Sequence, residues 1–389
     1  MLSKRINNLE IESSFEVLKK AEILSKSGKK IINLGIGQPD SIPPKKVIRK
    51  AISVLNSENH GYTSSKGLLK LREIIKENNN KLHNTNIDPE QILIAPGGKV
   101  IIYLTIMLLA DKNSEVLIPD PGFPIYRSIT KYSGAKPVYF SLNENNNFSL
   151  DAEEVINKLS SKTRLIVLNS PSNPCGSVYK NNEISKLIHS LKDYPHIFIL
   201  SDEIYSDLIF KSHYKTSMLK YEQIKDRLVV LNGLSKNFGM TGWRIGWGVF
   251  PNQLIDAAEK LAINIYSCVN IFTQYAALEA LSSDYKSVEE IRESYHRRSL
   301  LMSRLLNGIR GFFCLKPQGA FYCFPNIKKT GFSSNFLQNK LLEDVGVATI
   351  SGTSFGNLGN GFLRLSFANS EDNIFEACEK IQYWVSKNY

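Results

Sequence analysis

Residues 231–247 read LNGLSKNFGMTGWRIGW and follow a short apolar run at 228–231. Lys236 lies there among small, apolar and glycine residues, and Arg244 comes eight positions later. Burial in such surroundings disfavours the ammonium form and makes a lysine nucleophilic, while a fixed guanidinium suits a phosphate. The stretch therefore predicts a lysine that holds a phosphorylated aldehyde cofactor. The alternative is a surface lysine in a glycine-rich turn.

Composition places the chain among globular proteins. It has 389 residues, of which 42% are hydrophobic, so we expect two domains or one large α/β domain with an appendage. The formal net charge is +11, but the lysines are scattered, with no basic block and no basic–aromatic repeat. This pattern indicates a solvated basic surface rather than a nucleic-acid site.

The cysteines and the apolar runs indicate the compartment. The five cysteines (Cys175, Cys268, Cys314, Cys323 and Cys378) form no C-x-x-C pair, which predicts reduced thiols, with neither a disulfide framework nor a metal site. The first residues lack a signal-peptide core, and no apolar run approaches the ~20 residues that span a bilayer. We therefore expect a cytoplasmic protein that does not contact a membrane.

Short apolar segments alternate with helical patterns through most of the chain. Strands are predicted at 31–34, 91–95, 115–118, 136–140, 164–168, 197–200 and 228–231. Such alternation is typical of an α/β fold whose mostly parallel central sheet is covered by helices. Ligands bind at the carboxyl ends of such strands. Because Asn173, Asp202, Tyr205 and Lys236 all follow strands, we expect them to share one site.

The two ends of the chain show a different pattern. One helix is predicted at 13–30, with 15, 18, 21, 23 and 24 on one side, and another continuous helix at 254–281. After a charged helix at 287–308, strands are predicted at 312–315, 320–324 and 362–368, with helices at 334–343 and 371–385. We therefore predict a large cofactor-binding domain at 46–287 and a smaller α+β domain formed by 1–45 and 288–389.

Two glycine-rich segments suggest ligand contacts. The sequence GIGQPD at 35–40 lacks the third glycine of a dinucleotide fingerprint, and Pro39 blocks the helix that should follow. A tight loop that brings the backbone close to a ligand fits better.

The segment Pro96-Gly97-Gly98-Lys99 begins an apolar helix, where free backbone N–H groups and the helix dipole favour a phosphate. An ordinary strand-to-helix turn is the alternative there.

The motifs occur in an order that is typical of one family. They are GIGQPD at 35–40, GYT at 61–63, GGK at 97–99, PGFPIY at 121–126, SNPCG at 172–176, DEIY at 202–205, SK at 235–236, TGWRIG at 241–246, GAFY at 319–322 and RLS at 364–366. Together they resemble the fold-type I, pyridoxal-phosphate-dependent aminotransferases of class I/II. The resemblance extends from about residue 31 to 368.

The resemblance implies roles for the residues around the cofactor ring. Lys236 matches the lysine that forms the Schiff base with pyridoxal 5′-phosphate and then moves a proton at the substrate Cα. Asp202 matches the residue that faces the pyridine nitrogen and keeps it protonated, so that the ring serves as an electron sink. Tyr205 and Asn173 match residues that contact the 3′-oxygen.

The resemblance also implies a phosphate site and a homodimer. Arg244 and the backbone N–H groups of Gly98 and Lys99 are expected to bind the phosphate, and Phe123 is expected to stack on the ring. Tyr62 matches a tyrosine that reaches the phosphate of the neighbouring subunit, which implies active sites at a dimer interface.

Arg364 is the expected substrate-binding residue, because it matches the arginine of this family that binds the substrate α-carboxylate. Gly37 is expected to let the backbone close over the same group, and Asn173 to contact it. Two positions depart from the family pattern, because Gly233 stands where several members have a hydroxyl residue and Cys175 where threonine is usual. No second arginine for a distal carboxylate is evident, so dicarboxylate specificity is unsupported.

These expectations favour an aminotransferase that moves the amino group of an L-amino acid to a 2-oxo acid. Other reactions on the same fold stay open at this point, namely those of a β-lyase, a cyclopropane-forming synthase or a decarboxylase. A non-catalytic ligand sensor is a third alternative. The sequence does not identify the amino donor or the acceptor.

Overall fold

A computed structural model describes residues 2–211, 217–282 and 285–389 of the chain. Its strands are β1 (Ile32–Asn33), β2 (Ile92–Ala95), β3 (Glu115–Asp120), β4 (Lys136–Ser141), β5 (Thr163–Asn169), β6 (Phe198–Asp202), β7 (Leu228–Gly233), β8 (Gly246–Val249), β9 (Tyr322–Cys323), β10 (Val347–Ala348), β11 (Ile350–Ser351) and β12 (Leu363–Ser366). Its helices are α1 (Ser13–Lys26), α2 (Lys45–Leu55), α3 (Leu69–His83), α4 (Gly98–Leu109), α5 (Pro124–Ser133), α6 (Ala152–Ile156), α7 (Asn181–Ser190), α8 (Asn252–Tyr266), α9 (Ile271–Leu281), α10 (Lys286–Asn307), α11 (Ser334–Val345) and α12 (Glu371–Asn388).

The central sheet has seven strands in the order β2-β8-β7-β6-β5-β3-β4. Strand β8 runs antiparallel to β2 and β7, and the other pairings are parallel. Both faces are covered, as β5 illustrates: Leu165 and Val167 belong to one apolar cluster, while Ile166 and Leu168 belong to another. Burial on both faces explains the continuous apolar runs in the sequence. The predicted α/β fold is confirmed.

A second group of strands and helices has its own apolar cluster. Strands β11, β12 and β9 form an antiparallel sheet, and β1 pairs with β10 in parallel. Helices α10, α11 and α12 contribute to the same cluster as Ile32 and Leu34 from the N-terminal segment. The chain ends thus pack together, whereas the exact division at 46–287 stays a prediction.

Three sequence-based expectations were wrong about secondary structure. The helix predicted at 254–281 is two helices, α8 and α9, because Ser267 takes a left-handed φ of +60° between them. Residues 312–315 form no strand, and Phe313 makes only an isolated bridge to Asn326. Strands β8, β10 and β11 were not predicted, since two- to four-residue strands carry little periodic signal.

The N-terminal helix also differs from its prediction. It ends at Lys26, and its N-cap residue is Glu12. Its buried positions are Val17 and Ala21, whereas Phe15 is 56% exposed and Ile23 is 60% exposed. The predicted apolar side is confirmed at Ala21 and Leu24, which meet the core, and was wrong at Phe15 and Ile23. Among the described residues, no helix is long and apolar enough to cross a membrane.

Candidate active site

A cavity of about 500 Å³ opens at the carboxyl ends of β5, β6 and β7. Ten of the eleven predicted site residues line it: Gly37, Gly98, Lys99, Phe123, Asn173, Asp202, Tyr205, Lys236, Arg244 and Arg364. The fold thus brings together residues that lie more than 300 positions apart in the sequence, as the rule for parallel sheets predicts. Tyr62 is the predicted residue that does not line the cavity.

Lys236 lies three residues beyond the end of β7 and points into the cavity. Its Nζ donates a hydrogen bond to the carbonyl oxygen of Gly37 at 2.6 Å, and it lies 5.9 Å from the ring centre of Tyr205. Burial, helped by the positive charge of Arg364, lowers the pKa of Lys236 to about 8. More of the amine is therefore neutral, and hence nucleophilic, than in an ordinary lysine.

Asp202 is the last residue of β6, and its carboxylate is held at both oxygens. The phenol of Tyr126 donates to Oδ2 at 2.6 Å, and the backbone N–H of Ile204 donates to Oδ1 at 3.2 Å. Burial raises the pKa of Asp202 to about 6, although these two bonds and Lys236 favour the anion. The site therefore holds an anion and a weakly basic amine near neutral pH.

Asn169 and Asn173 build the next wall of the cavity. Nδ2 of Asn169 donates to the backbone carbonyl of Asp202 at 3.1 Å, and its Oδ1 accepts from the backbone N–H of Asn173 at 2.9 Å. The side-chain oxygen of Asn173 then accepts from Arg364 at 2.9 Å. One chain of hydrogen bonds thus connects β6 to β12.

Arg364 is buried, with only 3% of its surface exposed, and hydrogen bonds and aromatic rings fix its guanidinium. In addition to its hydrogen bond to Asn173, Arg364 donates one through Nη2 to the carbonyl oxygen of Gly35, at 2.6 Å. Its guanidinium lies 4.5 Å from the ring centre of Tyr322 and 4.8 Å from that of Phe355. Its buried Nε has no hydrogen-bond partner among the described residues.

Tyr205 and Tyr322 connect the two strand groups. Their hydroxyl groups lie 2.9 Å apart. The phenol oxygen of Tyr322 also occupies the space where a Cβ at Gly37 would lie. Only glycine therefore lets the 35–40 loop approach this pair closely.

Arg244 marks the opposite end of the cavity. Its Nη1 donates to the carbonyl oxygen of Thr241 at 2.8 Å, and its own backbone has a left-handed φ of +52°. The guanidinium packs on Gly97, where a Cβ would overlap it. Helix α4 begins at Gly98, so its first N–H groups face the same region.

The absence of a hydroxyl at position 233 has a structural reason. Gly233 ends β7 and pairs with Gly246 of β8. A Cβ at Gly233 would lie 3.0 Å from the Gly246 Cα and 3.0 Å from the carbonyl oxygen of Ile245. The close approach of two strands therefore leaves little room for a side chain there. Ser235 lines the cavity instead.

Three further residues singled out in the sequence are Phe123, Tyr62 and Cys175. Phe123 lines the cavity and meets Tyr126 edge-on, with ring centres 5.7 Å apart. Tyr62 is 92% exposed. Cys175 is buried, and burial raises the pKa of its thiol well above the ordinary value, which leaves it a poor nucleophile.

Sequence reasoning missed several cavity residues, namely Glu12, Phe15, Tyr126, Asn169 and Tyr322. Tyr126 belongs to the PGFPIY motif and follows Phe123 by three positions, so helical spacing would have placed both on one face. Glu12 forms an ion pair with Lys99 at 2.9 Å. For Glu12 and Phe15 the sequence carried no signal, because their position depends on how α1 packs.

Comparison with known proteins identifies the family. A family model described as "Aminotransferase class I and II" matches residues 29–381. The chain belongs to this family. It is 38% identical to an aspartate aminotransferase of Pyrococcus horikoshii, over 90% of each chain. It is 36% identical to an aspartate aminotransferase of Bacillus subtilis, over 100% of this chain and 99% of the relative.

A solved structure of the family has the same fold. The aspartate aminotransferase from Rhizobium meliloti superposes with a TM-score of 0.95 at 30% identity, and the match covers 100% of each chain. The chain is therefore an aminotransferase. Class I and II aminotransferases depend on pyridoxal 5′-phosphate.

Proposed function

We propose that the cavity binds pyridoxal 5′-phosphate and transfers an amino group from an L-amino acid to a 2-oxo acid. The donor set fits the cofactor. Arg244 and the N–H groups of Gly98 and Lys99 suit the phosphate, Asp202 suits a protonated ring nitrogen, and Lys236, with its lowered pKa, suits an aldehyde. Phe123 lines the same cavity and offers a ring for stacking.

When bound, the cofactor supplies an electron-withdrawing ring that accepts the charge developing at the substrate Cα. The chain's own residues do the rest. Asp202 holds the proton on the ring nitrogen, and Tyr205 and Asn173 donate towards the 3′-oxygen. Lys236 would hold the cofactor through its aldehyde carbon at rest and, as a free amine, would move the proton at the substrate Cα.

Arg364 is the proposed binding site for the α-carboxylate of both substrates. The observation that carries the proposal is that Arg364, a buried cation, lines the same cavity as Lys236. A carboxylate there would accept a charge-assisted hydrogen bond with a contribution of about 1.5–3 kcal/mol. Gly37 lets the neighbouring loop cover the same group. The relatives' names make aspartate the first donor to test, with 2-oxoglutarate as acceptor.

Absorbance spectroscopy tests this function directly. Addition of an amino acid alone should convert the cofactor absorbance to that of the pyridoxamine form, and a 2-oxo acid should reverse it. Lys236→Ala should lower turnover by at least about 10⁴-fold, because nucleophile and proton shuttle are both lost. Lys186→Ala, at an exposed lysine, is the control. Full turnover by Lys236→Ala would refute the proposal.

We also propose a homodimer in which Tyr62 contacts the phosphate bound by the partner subunit. The 92% exposure of Tyr62 in the single chain supports a role outside its own cavity. Hybrid dimers of one Lys236→Ala subunit and one Tyr62→Phe subunit test it. If Tyr62 acts across the interface, the hybrid regains one intact site. If it acts within its own subunit, no site recovers.

A further inference from the structure

Asp202 is held by a residue from outside its own strand and turn. The bond from the Ile204 N–H is local, two residues away, whereas the 2.6 Å bond from Tyr126 comes from α5. Tyr126 is 1% exposed and lines the cavity. We propose that Tyr126 is a positioning residue that orients the Asp202 carboxylate towards the cofactor ring and keeps it ionised. This inference rests on the proposed function.

The position of Tyr126 couples two features of the site. Phe123 is the N-cap residue of α5, and Tyr126 follows within the first turn. Their rings meet edge-on at 5.7 Å. The same helical turn therefore carries the aromatic ring that faces the cavity and the phenol that holds the carboxylate. A shift of this turn would move both.

The electrostatics explain why Asp202 needs such a partner. Burial raises its pKa to about 6 even with the Tyr126 bond in place. From the loop after β7, Lys236 favours the anion. The neighbouring Glu203 is itself buried, with its pKa raised to about 7, and Tyr205 adds no positive charge. Loss of the phenol would therefore let protonated Asp202 persist to higher pH.

The phenol of Tyr126 remains a donor over this whole range. Burial, together with the charge of Asp202, raises the pKa of Tyr126 well above its ordinary value. It therefore stays protonated from pH 6 to 9. The bond consequently favours the ionised carboxylate and opposes its protonation.

Tyr126→Phe tests the inference with two measurements. The first is the affinity of the apoprotein for pyridoxal 5′-phosphate, measured by fluorescence from pH 6 to 9. The second is the pH profile of kcat/KM. We expect about tenfold weaker cofactor binding at pH 7 and an acid limb about one pH unit higher, because a short charge-assisted bond is lost. The matched control is Tyr266→Phe, whose phenol donates to the Ile94 carbonyl at 3.1 Å.

A second replacement of Tyr126 should shift the acid limb of the kcat/KM profile in the opposite direction. Replacement of Tyr126 by 3,5-difluorotyrosine strengthens the donor and keeps the ring, so the acid limb should move to lower pH. A purely structural role would leave the limb unmoved in both variants. Coincidence of both profiles with the wild type would overturn the inference.

The proposed function has a separate test in the same series. If Asp202→Asn binds the cofactor and turns over like the wild type, the role of Asp202 fails, and this inference fails with it. If Asp202→Asn is impaired and Tyr126→Phe is not, only the inference about Tyr126 is wrong.

Discussion

The two arginines of the cavity are built in different ways. Arg364 is 3% exposed and bonds to Asn173 and Gly35, which lie 191 and 329 residues away in the sequence. Arg244 is exposed, and its shorter bond joins a carbonyl only three residues away, at Thr241. The backbone of Arg244 has a left-handed φ. Its guanidinium packs against Gly97, where a side chain would leave no room for it.

The difference indicates how each anion site is prepared. Arg364 is fixed before a ligand arrives, so little side-chain entropy is lost on binding. Arg244 belongs to a local turn beside the start of α4 and remains open to solvent. We infer that Arg364 is held by the folded assembly of distant segments, whereas the Arg244 side chain is held partly by its own turn, at Thr241, and partly by the segment before α4.

Removal of Arg364 should have the largest effect. Arg364→Ala leaves the Asn173 oxygen without its donor and removes the carboxylate partner, so kcat/KM for the amino donor should fall by about 10²–10³-fold. Cofactor affinity should change little. Steady-state kinetics and cofactor titration of the same preparation check both.

Two variants sharpen this prediction. Arg364→Lys keeps the charge but not the planar fork, and should recover only part of the loss. Arg164→Ala, at an exposed arginine of β5, is the control. An unchanged KM for every amino donor with Arg364→Ala would contradict the role of this residue.

Removal of Arg244 should have a smaller and different effect. Arg244→Ala should weaken cofactor binding by about tenfold, because an exposed charge-assisted contact is lost beside N–H groups that remain. The KM for amino donors at saturating cofactor should stay close to that of the wild type. Fluorescence titration of the apoprotein at several salt concentrations measures the first effect. A raised KM for the amino donor with unchanged cofactor affinity would contradict the assignment of Arg244 to the phosphate.

A stability measurement extends the comparison to Lys236, whose pKa both arginines lower. Between its pKa of about 8 in the folded apoprotein and its usual 10.5, the unfolded chain binds more protons. The free energy of unfolding should therefore increase with pH across this window. Lys236→Met should remove that increase, which urea unfolding from pH 8 to 10.5 measures.

The two arginines should differ in this measurement too. Arg364 lowers the pKa of Lys236 more than Arg244 does. Arg364→Met should therefore flatten the pH dependence more than Arg244→Met, by a difference below about 1 kcal/mol. Equal slopes for the two variants would show that Arg364 does not lower the pKa of Lys236 more than Arg244 does.

Much of the fold was predictable because its signals are local. The buried runs of the parallel sheet, the Asp151 cap of α6 and the glycine turn before α4 each depend on neighbouring residues. The break between α8 and α9 was not predictable in this way, since Ser267 takes a positive φ without glycine. The predicted apolar side of α1 was wrong at Phe15, because this residue lines the cavity instead of the core.

The sequence by itself determined the mostly parallel α/β architecture and the order of the motifs. It also placed Asn173, Asp202 and Lys236 at strand ends, because strand periodicity and turn chemistry depend on residues a few positions apart. Only the tertiary structure decided how Asn173 and Gly35 hold Arg364, and how Tyr126 holds Asp202. Those contacts join segments tens to hundreds of residues apart, so they exist only once the sheet and its helices have packed.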